Sequence, residues 1–197
     1  MLLYRPVGIY ELEKILNYES KGFPPRLEFQ PIFYPVLNIE YARQIARDWN
    51  TVDTHSGFVG YVTKFEVDDE YISKFEVMQV GDVVHKEYWI DSNELDEFNS
   101  HIIGSIKIVE AYYGASFEGV APTGLSGFKE KDVHKQFDIF EQMMNTNGFD
   151  FSATAAVEWK IVNLNYLLWK ETKSNTGVLN QLLASLNRNN KCFLEIE

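Results

Sequence analysis

Cysteine is almost absent. Cys192 is the single cysteine in 197 residues, so no disulfide can close within the chain and no Cys-rich zinc site can form. A reducing, cytoplasmic setting is therefore expected. No apolar run approaches the ~18 residues that a membrane-spanning helix needs, and Met1 leads into Tyr4 and Arg5 without an apolar signal core. Positive charge is also scarce. Eighteen Lys and Arg stand against 29 Asp and Glu, for a formal net charge of −11. A field of that sign repels nucleic-acid phosphates and anionic membrane surfaces, so neither is an expected partner. Gly-x-Ser-x-Gly, the P-loop and Gly-x-Gly-x-x-Gly are all missing, which removes the markers of serine hydrolases, P-loop NTPases and dinucleotide-binding doubly wound folds.

What the chain does have is apolar and aromatic mass. Hydrophobic residues make up 45% and aromatics 15%, with 14 Phe, 11 Tyr and 4 Trp, enough to build a core that offsets chain entropy. The acidity is uneven: residues 1–117 carry 10 Lys+Arg against 19 Asp+Glu, and residues 118–197 carry 8 against 10.

Periodicity predicts an α+β organisation. The apolar run Leu2–Tyr4 reads as a strand, and Ile9, Leu12, Ile15 and Leu16 follow at helical spacing. Residues 22–38 hold Pro24, Pro25, Pro31 and Pro35, four of the six prolines, which forbids helix and leaves at most a short edge strand at Phe33–Leu37. Ile39, Ala42, Ile45, Ala46 and Trp49 restore a helix, and Val59, Tyr61, Thr63, Phe65 and Val67 alternate as a half-buried strand. Phe75–Val80 and Val83–Ile90 flank the turn-prone Gly81-Asp82 and predict a hairpin. Asp91 with Glu94 reads as a capping box for a helix carrying Leu95 and Phe98, and Gly104 precedes a last strand through Ile106, Ile108, Val109 and Ala111.

The Gly-rich run 114–128 suggests a boundary between a unit at 1–117 and a helical extension at 118–197 packed on it. In the extension Val133, Phe137, Phe140 and Met144 share one helical face, Val157, Ile161, Leu164 and Leu168 a second, and Leu179, Leu182, Leu183 and Leu186 a third. Cys192–Ile196 is apolar enough for a strand and short enough to fray.

Few residue patterns point to chemistry. His85 and Glu87, two apart in an expected strand, leave the same face and could form half of a metal pair, but the Pro-Cys-x-x-Cys that a zinc deaminase needs is lacking. No metal is expected. Cys192 has no base beside it to make it a nucleophile. The stretch Tyr34–Asn50 is dense in aromatic and amide side chains, and reads either as a packed helix or as the wall of a site for a planar heterocycle.

Leu3-Tyr-Arg-Pro-Val-Gly8, Phe23-Pro-Pro-Arg26, Gln30-Pro-Ile-Phe-Tyr-Pro-Val-Leu-Asn38, Glu40 to Asn50 and Glu94 to Gly104 together resemble a bacterial family labelled ADP-ribosylation/crystallin J1, over residues 2–113. Of the two halves of that label, the order of elements looks like the ADP-ribosyltransferase fold, a mixed, mainly antiparallel sheet flanked by helices; the acidic metal motifs of the helical glycohydrolases have no counterpart. The resemblance implies NAD as substrate, with Arg5 on the NAD phosphate or adenosine ribose, Tyr34 or Tyr41 stacked on nicotinamide, and Glu87 stabilising the cationic ribosyl transition state. A Ser-Thr-Ser run is missing, His85 stands where some transferases carry Glu or Gln, and the first strand offers Arg5 where a His is common. Two functions are thus expected: NAD-dependent ADP-ribosyl transfer or related NAD processing, and a non-catalytic ligand-binding or protein-interaction module on the same fold.

Overall fold

The computed structural model describes residues 1–120, 128 and 132–196. The described chain is mixed α+β and divides into two compact units, Met1–Phe117 with Phe193–Glu197, and Glu118–Cys192. Of the Gly-rich run 114–128 expected at the boundary, residues 121–127 lie outside the described residues.

The first unit is built on an antiparallel sheet. Strand β1 (Leu2–Val7) pairs with β3 (Val59–Val67), and β3 pairs with β7 (Ile102–Tyr113). Beyond β1 the sheet continues through Val36, which forms bridges to Tyr4 on one side and Glu87 on the other. Val36 and Tyr4 exchange hydrogen bonds of 2.8 and 2.9 Å, Tyr88 N–H donates to Pro35 O at 2.9 Å, and Leu37 N–H donates to Lys86 O at 3.0 Å. The hairpin of β4 (Val77–Gln79) and β5 (Lys86–Tyr88) completes that side. On the far side Leu194 forms a parallel bridge with Ile108.

The segment expected at the sheet edge is thus interior. Pro35 has no N–H to place, which removes one of the donors that an interior strand must satisfy. Phe33 instead belongs to a two-residue strand, β2 (Ile32–Phe33), paired with β6 (Ile90–Asp91).

Each face of the sheet is covered by a helix. Strand alternation sends Leu3, Arg5 and Val7 to one face, where α1 (Ile9–Asn17) buries Leu12, Ile15 and Leu16 and where Phe23, Phe33, Phe65 and Phe98 pack ring on ring, with centroids 4.7–6.2 Å apart. The opposite face meets α2 (Ile39–Asp48), capped by the Asn38 side chain, whose Tyr41, Ala42 and Ala46 pack on Val36 and Val62. Gly60 permits this approach, because a Cβ there would lie 2.1 Å from Ala46 O. The short helices α3 (Asp69–Ile72) and α4 (Leu95–Ser100) close the unit. Gly104, read from sequence as preceding the last strand, lies inside β7 with φ +78° at an irregularity in the β3 register.

Among the described residues the second unit has four helices, α5 (Val133–Thr146), α6 (Gly148–Val157), α7 (Trp159–Thr172) and α8 (Thr176–Arg188). Sequence periodicity anticipates three. Val157 ends α6 and is 75% exposed, so it does not share the buried face of Ile161 and Leu164. The additional helix starts at Asn147, whose side chain accepts from Phe149 N–H and Asp150 N–H immediately after α5. Inside, Phe137, Phe140, Phe151 and Trp169 pack together, and a buried Gln136–Asn165 hydrogen bond of 3.0 Å joins α5 to α7. No helix among the described residues is long and apolar enough to cross a membrane.

Candidate functional site

The pleat decides where the expected site residues go. Tyr4, Val36 and Glu87 are directly paired, so their side chains share the face that α2 covers, while Arg5, one residue on, leaves the other face. Tyr41 on α2 donates its hydroxyl to Glu87 Oε2 at 3.4 Å, and Trp89 donates its indole N–H to Glu87 Oε1 at 2.7 Å. The Tyr34 ring meets Trp89 edge to face at 5.9 Å. Tyr41 and Glu87 are therefore in contact, Tyr34 reaches them only through Trp89, and both oxygens of the almost buried carboxylate already accept a hydrogen bond. Burial, and then the Glu87 charge, raise the Tyr41 phenol above its ordinary value.

His85 completes this cluster. Its ring stacks on Tyr41 at 4.4 Å, and its Nδ1 accepts the Asp82 backbone N–H at 3.2 Å. The proton of a neutral imidazole then sits on Nε2, which faces Gln44 Oε1 at 2.8 Å. An imidazole held in this way fastens the 81–85 turn to α2. Among the described residues no group of three or more His, Cys, Asp or Glu could hold a metal ion.

Arg5 has different surroundings. Its guanidinium lies 4.7 Å over the Phe33 ring and makes a two-pronged pair with Glu11, Nε to Oε1 at 2.7 Å and the second terminal nitrogen to Oε2 at 3.0 Å, while the first donates to Tyr34 O at 3.2 Å. Arg26 approaches the same carboxylate at 3.7 Å, too far for a hydrogen bond, and anchors its own Nε on Ile32 O at 3.2 Å. Pro24 and Pro25 fix the extended backbone that delivers Arg26 to this point. Burial acts to raise the Glu11 carboxyl, but the charge and hydrogen bond of Arg5, then the charges of Arg26 and Lys14, outweigh it and hold Glu11 below the ordinary carboxylate range. Burial and then repulsion from Arg5 lower the Arg26 guanidinium, with Glu11 opposing.

These groups form the floor of an open cavity of about 430 Å³. Its lining carries three permanent cations, Arg5, Lys14 and Arg26, against two carboxylates, Glu11 and Asp53. That is a local excess of one positive charge in a chain of net charge −11. The wall includes Gly8, Tyr10 and Glu11 at the start of α1, where the N-cap Gly8 supplies no side-chain cap, so the partial positive charge of a helix start adjoins the same space. Lys14 is exposed and makes no ion pair among the described residues.

Of the four candidate site residues read from the sequence, Arg5 lines this cavity and Tyr34, Tyr41 and Glu87 do not. Glu11, Lys14, Arg26, Asp53 and His55 were not legible as a site, because they come from three separate stretches of chain. The local signal available was Arg26, set by two prolines within a motif already quoted. No protein-family profile, curated protein or solved structure matches this chain.

Proposed function

We propose that the first unit is a ligand-binding module that takes a small phosphate-bearing anion into the cavity at the start of α1. The observation that carries this reading is the concentration of Arg5, Lys14 and Arg26 around one shared carboxylate in an otherwise acidic chain. Cations are expensive to gather where they repel one another, and an incoming dianion relieves that repulsion. Arg5 is committed to Glu11 and Tyr34 O, so it builds the floor; Arg26 and Lys14 keep terminal nitrogens for the ligand.

Calorimetry with pyrophosphate at low salt tests this. Wild type should bind, and Arg26→Ala should bind about tenfold more weakly or worse, because a charge-assisted hydrogen bond contributes about 1.5–3 kcal/mol. Wild-type protein that shows no heat of binding at millimolar pyrophosphate would overturn the proposal.

NAD is the member of this ligand class that the family resemblance implies, and ADP-ribosyl transfer is the second reading. What favours it is the aromatic and carboxylate cluster of Tyr34, Trp89, Tyr41 and Glu87, half open at Trp89. In the first reading Glu87 only fastens β5 to α2. Glu87→Gln should then leave ligand affinity unchanged, and wild type should release no nicotinamide from NAD. Nicotinamide release that Glu87→Gln abolishes with binding intact would restore the transferase reading, since a carboxylate acting on the ribosyl cation contributes mainly in the transition state.

A further inference from the structure

The cavity has a second chemical character beyond its cationic floor. Tyr10 and Phe29 line it, and these residues are 54% and 78% exposed. Neither enters an aromatic pair among the described residues, whereas Phe23, Phe33, Phe65 and Phe98 of the same unit are buried in contact with one another. Gln30 and Asn50 also line it, and their side-chain amides have no hydrogen-bond partner among the described residues. Large unstacked rings facing solvent cost hydrophobic free energy, and they gain it back on a planar partner.

Resting on the anion-binding reading above, we infer that the ligand is a nucleoside monophosphate, with its phosphate on Arg26 and Lys14 and its base against Tyr10 and Phe29. The charge balance sets the phosphate count. Arg5 is neutralised by its two-pronged pair with Glu11, which leaves Arg26 and Lys14 against Asp53, an excess of one positive charge, and a single phosphate monoester, with about 1.5–2 negative charges at neutral pH, comes nearer to that balance than a di- or triphosphate. Each amide offers one acceptor and two donors, the pattern needed to read the polar edge of a base. A ring stacked on an aromatic side chain binds with little preference among bases, so Tyr10 and Phe29 supply affinity and Gln30 and Asn50 supply choice.

A comparison of inorganic phosphate, ribose 5-phosphate and the four common nucleoside 5′-monophosphates by calorimetry tests this. The nucleotides should bind at least about tenfold more tightly than ribose 5-phosphate, and Tyr10→Ala with Phe29→Ala should erase that difference while leaving the affinity for ribose 5-phosphate as it was. Both substitutions are at exposed positions, and an unchanged melting temperature checks that the variant is folded. Gln30→Ala and Asn50→Ala should alter the ranking among bases. Equal binding of ribose 5-phosphate and nucleotides, or a full nucleotide preference in the double variant, would overturn the inference and leave the anion site standing. Failure of every phosphate compound to bind would instead remove the anion-binding reading itself.

Discussion

Glu11→Gln should destabilise the first unit by about 3 kcal/mol at neutral pH, measured by urea unfolding with an unchanged slope. The carboxylate sits between two guanidinium groups whose side chains are 9% and 10% exposed, and it is itself 22% exposed. Removing it leaves Arg5 facing Arg26 over the Phe33 ring with no counter-charge, and breaking a buried pair in this way costs about 3–5 kcal/mol. The lower end applies because water still reaches Glu11. The loss should depend on pH with a definite sign. The folded Glu11 carboxyl is depressed below its ordinary value of 4.5, so its contribution is complete above that value and fades as pH falls through the depressed one. The gap between wild type and Glu11→Gln should therefore be constant near neutrality and close in acid below about 4.5. Pyrophosphate should also raise the melting temperature of the variant more than that of wild type, since the ligand then replaces a missing counter-ion. A variant as stable as wild type at pH 7 would show that Glu11 does not balance the arginines.

The second large effect is expected at Gly8. Its backbone, φ −79° and ψ 176°, is open to any residue, so only space demands glycine. A Cβ there would lie 2.3 Å from Ser56 Cα and 2.7 Å from Ser56 O. The Ser56 turn cannot retreat easily. Its hydroxyl donates to Asp53 at 2.7 Å, and it leads into Gly57 at φ +67°, where a Cβ would itself meet Ile9 Cγ2 at 2.5 Å. Gly8→Ala should cost about 3 kcal/mol by overpacking, and it should weaken pyrophosphate binding about tenfold because Glu11 and Ser56 would be pushed apart across the cavity. Gly148→Ala, with nothing within 4 Å of the new methyl, is the control and should be neutral or mildly stabilising. Gly8→Ala with wild-type stability and affinity would show that the turn yields freely and shapes nothing.

Much of the fold was legible. Strand β3 shows its two-residue alternation only from Thr63 to Val67, because Gly60 and Val62 are buried under α2 as well, while α1 and α2 carry clean apolar stripes from burying one face. The hairpin was legible in kind but not in length, for β4 and β5 are three residues each where longer runs were expected. Valines 80, 83 and 84 have the composition of a strand, yet the 81–85 turn, held by His85, leaves them partly or fully exposed. The α6–α7 break was hidden because Val157 fits a helical period that the chain does not continue.

The sequence by itself determined the element types, the acidic field, the lack of disulfide or Cys-rich metal chemistry, and the presence of Arg5 in a strand. Those follow from composition and from periods of two and 3.6 residues, which any short window contains. Which face Arg5 shares, and with what, was decided only by the tertiary structure. Val36 inserts between β1 and β5, and through that pairing Glu87 goes to the α2 side while Arg5 joins Glu11 and Arg26 on the α1 side. A one-residue step along a strand reverses the face of a side chain, and the pairing that fixes this step joins residues more than thirty and fifty positions apart. No local pattern encodes that register, so the anion cavity exists only once the sheet has formed.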